Sequence, residues 1–281
     1  MNRRIYFLFL LTFAFACQDK PTPTNQSRAT ELPDSTGYVI NSEHEVDGLK
    51  IYPLSASPVY LGSNLILMKP AAGSKHASGS EINFEFRLTG EAFELGDQTE
   101  DAEAKQLANH AEGQYFQVIF NERDPEVFHE TSFSKKFEDG QYVALAHLSR
   151  SYHESVKSAS AFQLFQFTVG DVTLKPEKLS DPRLFYNRPL GTYSGEDAKK
   201  VLLDFYLMNT NLTVSGQKVL VTVNDKTEFV IAKWRSYILE GLPMGVNKIK
   251  IELLDKQGKL VGGGYNRIEK TFTLQETAPI Q

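Results

Sequence analysis

One cysteine, Cys17, and one tryptophan, Trp234, occur in this chain of 281 residues. With a single thiol there is no internal disulfide framework, so the fold has to be held by burial. Basic residues are in deficit, 30 Lys and Arg against 35 Asp and Glu, and a net charge of −5 argues against a nucleic-acid partner. Long apolar runs are also missing: the stretch from Ile5 to Ala16 is too short to span a bilayer as a helix. No Gly-x-Ser-x-Gly, phosphate-binding glycine loop, dinucleotide fingerprint or Cys-x-x-Cys is found. His44, His129 and His153 each precede Glu, yet none completes His-Glu-x-x-His, which removes zincin chemistry.

What is present is a composition 41% hydrophobic and 11% aromatic, enough for one or two globular domains. The amino end reads Arg3-Arg4, the apolar run Ile5 to Ala16, then Cys17. A basic start, a short apolar segment and Ala14-x-Ala16 fit an export signal. The lone cysteine directly after that pair stands where a bacterial lipoprotein carries its acylated residue. The sequence therefore predicts a lipoprotein signal peptide over 1–16, lipidation at Cys17 and a flexible tether over 17–37 rich in Pro, Thr, Ser, Asn and Gln. An ordinary signal peptidase site at Ala14-x-Ala16, releasing a soluble protein, is the competing expectation.

Beyond the tether, short alternating apolar segments dominate: Ile82 to Leu88, Tyr115 to Phe120, Tyr142 to Leu148, Phe162 to Val169, Leu202 to Leu207, Val219 to Val223, Lys248 to Leu254 and Thr271 to Leu274. Strands of this length between Gly, Asn, Asp and Pro turns predict an all-β, antiparallel sandwich architecture. An internal match sharpens this. Gly113-Gln114 to Asn121 aligns without gaps on Gly216-Gln217 to Asn224, Gly140 to Leu148 matches Gly245 to Leu253, and Phe84 to Leu88 matches Leu203 to Leu207. The three pairs keep their order, and Gly and Asn are the residues that turns recruit. The expected organisation is two tandem immunoglobulin-like β-sandwich domains, 38–172 and 183–276. A Pro-containing linker over 173–182 joins them, and a short helical insertion lies near 99–109 in the first.

All six histidines (His44, His76, His110, His129, His147 and His153) fall in the expected first domain. Imidazoles from separate strands can build an open metal site, with His110 and His147 the two to watch, but no ligand spacing is legible. The reading assigns no metal, no cofactor and no catalytic residue. The acidic stretch from Glu91 to Glu103 lacks a calcium-loop pattern and reads as a solvated face. The densest polar cluster is Ser149 to Ser155, just after a strand. Arg150, Ser151, Tyr152 and His153 are its candidate ligand-binding residues, because a guanidinium with hydroxyls and an imidazole suits a phosphate or carboxylate. The matching stretch of the second copy, Leu254 to Gly258, is an ordinary turn, and Trp234 reads as a core anchor.

Four stretches, Glu94 to Thr99, Leu148 to Ser155, Asp181 to Pro189 and Glu240 to Gly245, resemble a family of Bacteroidota lipoproteins of unsettled function, some of whose members are labelled phosphopeptide-binding. The resemblance spans about residues 80 to 275. Family members tend to carry histidines on the strand after Gly113-Gln114, where this chain has Tyr115 and Gln117.

The resulting expectation is a non-enzymatic binding or structural module, lipid-anchored to the outer membrane of a bacterial cell envelope on its periplasmic or surface face. Its candidate partners are a protein, a peptide or an anionic ligand. The alternative is a metal-dependent or hydrolytic enzyme using the histidines of the first domain.

Overall fold

The computed structural model describes residues 30–34, 37–90 and 92–277. The expected signal peptide, Cys17 and most of the tether lie outside the described residues. Three short strands come first, β1 (Tyr38–Val39), β2 (His44–Val46) and β3 (Leu49–Pro53). A first set of eight follows: β4 (Asn64–Lys69), β5 (Lys75–His76), β6 (Glu81–Thr89), β7 (Tyr115–Phe120), β8 (Glu126–Phe128), β9 (Ser132–Lys136), β10 (Gly140–Ser149) and β11 (Phe162–Val169). The second set is β12 (Arg183–Arg188), β13 (Gly191–Ser194), β14 (Val201–Met208), β15 (Lys218–Val223), β16 (Thr227–Ile231), β17 (Tyr237–Glu240), β18 (Gly245–Leu254) and β19 (Arg267–Gln275). No described helix is long and apolar enough to cross a membrane.

The protein is an all-β pair of sandwiches. In the first, the sheet β4-β6-β9 packs on β5-β11-β10-β7-β8 over a phenylalanine-rich core that includes Phe84, Phe86, Phe116, Phe120, Phe165 and Phe167. In the second, β12-β14-β17-β3-β2 packs on β1-β16-β15-β18-β19-β13 around Val201, Leu203, Phe205, Val221, Ile249 and Ile251.

The internal match is a duplication in three dimensions. Phe120 pairs with Ala144 and Tyr115 with Ser149, just as Val223 pairs with Ile249 and Lys218 with Leu254, each position equally far from its leading glycine. Asn121 and Asn224 both adopt left-handed backbone, at φ 56 and φ 52. Each side chain accepts from the strand opposite, at Val143 N (2.8 Å) and Lys248 N (2.7 Å). Asparagine tolerates this conformation and bonds locally, which is why it closes both turns. A register shift interrupts β4 before Lys69 and β12 before Arg188, and a cis-proline follows each.

Three expectations need correction. Residues 38–53 do not belong to the first sandwich: β3 pairs with β17, β2 with β3, and β1 with β16, so they extend both sheets of the second. Strands close in sequence usually neighbour one another, but an exposed edge can also pair with a distant segment, as the second sandwich's edges do here. The helical insertion shrinks to one turn, α1 (Ala102–Lys105), because Gln106 turns left-handed at φ 52 and stops it. Residues 30–34 of the expected tether are docked, with Thr30 N donating to Gly258 O at 2.9 Å and Leu32 packing beside Tyr38 and Leu254.

The two sandwiches meet face to face, making four layers of sheet. This explains the burial patterns: every residue of β7, β12 and β14 is buried, whereas β6, in an outer layer, alternates. A strand covered on both faces loses the in-and-out rhythm of a solvated sheet.

Candidate functional site

The seam between the sandwiches is built from the side chains that alternate away from each core. Toward one side it is apolar: Ile119, Val143 and Leu145 of the first sandwich pack on Phe185, Tyr206, Met208 and Tyr265 of the second. Another apolar patch joins Leu107 and Tyr152 to Leu202 and Ile238. Burial of such surface contributes about 25 cal/mol per Å².

A polar strip accompanies these patches. His147 and Gln117 are cross-strand partners on β10 and β7. His147 Nδ1 donates to Leu148 O at 3.1 Å, which leaves Nε2 to accept from the Gln117 amide at 3.0 Å. The same amide donates to Asn187, which the β12 bulge turns toward the first sandwich, and Asn187 donates to Asp204 at 2.6 Å. Asp204 is fully buried and also accepts from Ser155 N (3.1 Å), the Ser236 hydroxyl (2.7 Å) and the Lys157 ammonium. Burial works against its charged form, but Lys157 and the donating Asn187 and Ser236 outweigh it and hold the carboxyl below its ordinary range. Burial pushes His147 down to about 4, so the imidazole is neutral at ordinary pH.

The expected ligand-binding loop lies inside this seam, which corrects its reading as an open anion site. Arg150 is 6% exposed, its guanidinium 3.2 Å from Glu154, donating also to Pro58 O and lying over the Tyr60 ring. Ser151 exchanges hydrogen bonds with Thr99 at 2.9 and 3.1 Å. Tyr152 is fully buried in the Leu107–Ile238 patch. A guanidinium already desolvated and paired has no free fork for a solute anion. The isolated acidic and polar residues therefore act as internal struts.

His153 differs. It is partly exposed at the seam's mouth, in left-handed backbone at φ 70, and accepts from Tyr115 OH at 2.7 Å. Arg188 donates to the same Tyr115 oxygen at 3.2 Å. Burial, Arg188 and His110 together hold His153 well below the usual imidazole range. Around Tyr115 stand two further imidazoles, with ring centroids 5.3 Å (His110) and 5.9 Å (His129) from its own. His110 and His129 are 5.0 Å apart, and Glu112 lies 3.2 Å from His129 Nε2. Ligand atoms of His110, Glu112 and His129 all fall within 4.8 Å of one another. Of the two histidines singled out by sequence, His110 reaches this cluster and His147 does not. His129 was missed because it follows the edge strand β8, whose pairing with β7 sets it beside Tyr115.

No protein-family model and no curated protein matches the chain. Solved structures similar to it include the fibronectin(III)-like modules of Clostridium thermocellum CbhA, at 9% identity over 77% of this chain and 97% of that one, TM-score 0.27. Another is SGBP-B of the Bacteroides ovatus mixed-linkage glucan utilization locus in complex with a mixed-linkage heptasaccharide. It is 9% identical over 75% of this chain and 47% of its own, with a TM-score of 0.20. The tandem V-type regions of a v-region-containing chitin binding protein are 7% identical over 76% of this chain and 100% of theirs, TM-score 0.22. Likeness at this level carries nothing about ligand or activity. The chain is all-β with two sandwiches on the strength of its own strand pairing.

Proposed function

We propose that this chain is a bacterial envelope lipoprotein, held at the outer membrane through an acylated Cys17, whose paired sandwiches act as a non-enzymatic binding or structural module. The observation that carries the reading is the seam. Of the groups with catalytic potential there, Ser151 and His147 are tied to Thr99 and Gln117 of their own sandwich, while Lys157 reaches Asp204 and Glu154 accepts from Ser236 across the seam. Groups satisfied in this way brace two bodies in a fixed orientation, and a partner meets the outward faces. Since Arg150 is paired inside the seam, a protein or peptide on an outer face fits this better than a small anion captured by that loop.

The test is metabolic labelling of cells producing the full chain with a radioactive fatty acid, followed by fractionation. Label on the wild type, and its loss in Cys17→Ser with release from the membrane fraction, is the expected result. An unlabelled wild-type protein in the soluble fraction contradicts the anchor.

A further inference from the structure

The cluster at the seam's mouth is not needed by the struts behind it. His110 Nδ1 and both ring nitrogens of His129 are buried without a hydrogen-bond partner. The His129–Glu112 approach of 3.2 Å is an ion-pair distance without hydrogen-bond alignment. Buried polar nitrogens are nearly always satisfied, so an unpartnered group of this kind needs an explanation. We propose that His110, His129 and Glu112 bind one divalent transition-metal ion of the zinc class.

The donor set fits. Two imidazoles and a carboxylate are ligands that zinc accepts with an outer position left for water, and nitrogen donors disfavour calcium and magnesium. The backbone holds the donors in place. His110 N donates to Ser151 O at 2.8 Å and Gly113 N to His110 O at 3.0 Å. Gln98 donates to the His110 carbonyl at 3.1 Å. Gly113, at φ 77, admits no side chain, since a Cβ there would meet Gly96 O at 2.2 Å. The nearby Arg188 charge is engaged by Asn187 O (2.8 Å) and Tyr115 OH (3.2 Å). The inference stands on this cluster and is independent of the anchor at Cys17.

The experiment is calorimetric titration of the purified full chain, stripped with chelator, using zinc sulfate near neutral pH. One zinc per chain is expected, weakened roughly tenfold or more in His110→Ala and His129→Asn, less in Glu112→Gln, and unchanged in His44→Ala. In the wild type, zinc is expected to shift the ring nitrogen-15 resonances of His110 and His129, a readout that needs no variant to fold. Absence of binding, or binding that shifts only other histidines, overturns the site.

Discussion

The loop Ser149–Ser155 of the first sandwich and the loop Leu254–Leu260 of the second have one backbone and two fates. Each is closed by the same bridge, Ser149 to Ser155 and Leu254 to Leu260. Each carries the same inner hydrogen bond, Arg150 N to Glu154 O and Asp255 N to Lys259 O, at 2.9 and 2.8 Å. The fifth residue of each is left-handed, His153 at φ 70 and Gly258 at φ 76. Glycine takes this conformation freely and histidine does not, so the first loop carries a strain of about 1 kcal/mol that its partners offset. The second loop lies under Thr30, and the first is pressed into the seam. Duplicated strands fixed the shape of both, and only the side chains facing the seam decided which became an interface.

The two copies differ most at Asp204 and its counterpart Glu85, which face Arg188 and Lys69 at matching bulges. Asp204→Ala strips a buried carboxylate from Lys157, and urea unfolding is expected to show a loss of about 3–5 kcal/mol. Glu85→Ala removes only an exposed pair, 2.8 Å from Lys69, and should change stability by less than about 1 kcal/mol. Equal losses would mean that the seam is not closed in solution.

Acid comes next. His147 is held down to about 4 from an ordinary 6.5, so between those values the unfolded chain binds a proton that the folded one refuses. Stability therefore drops as the pH is lowered from 6.5 to about 4, by roughly 3 kcal/mol at about 1.4 kcal/mol per pKa unit. His153 adds in the same direction. Asp204, whose carboxyl is depressed, contributes stability above the ordinary carboxylate range and loses it only as pH falls through its lower folded value. A His147→Gln variant is expected to flatten the decline between pH 6.5 and 4; an unchanged slope contradicts the assignment.

Smaller effects separate the copies more finely. Asn121→Ala and Asn224→Ala each lose a turn-closing bond in left-handed backbone, for about 1–2 kcal/mol apiece. Asn121 should lose slightly more because Tyr265 OH also donates to it, at 3.0 Å. Gly258→Ala would bring its Cβ to 2.3 Å from Thr30 O. A cost of about 1 kcal/mol is expected, with faster proteolysis near residue 30 as the accompanying sign.

The duplication was legible because its markers are local: a turn glycine, a closing asparagine and the alternation between them. The strands from Tyr115 to Phe120 and Phe162 to Val169 coincide with β7 and β11 for that reason. The placement of residues 38–53 was not legible, since which edge a short strand joins depends on the finished sheets. The seam was hidden for a related reason. Gln117, His147 and Asp204 read as ordinary polar positions of half-solvated strands until a second sheet covers them. His110 and His129 come from segments with no shared spacing, and only the β7–β8 pairing brings them together.

The two sandwiches are one body locked by charges buried between them, and the decisive experiment is a double-mutant cycle on Lys157→Met and Asp204→Asn. A single unfolding transition with a coupling of about 1.5–3 kcal/mol between the two positions is the expected result. Additive losses, within about 0.5 kcal/mol, accompanied by two separate transitions would contradict it.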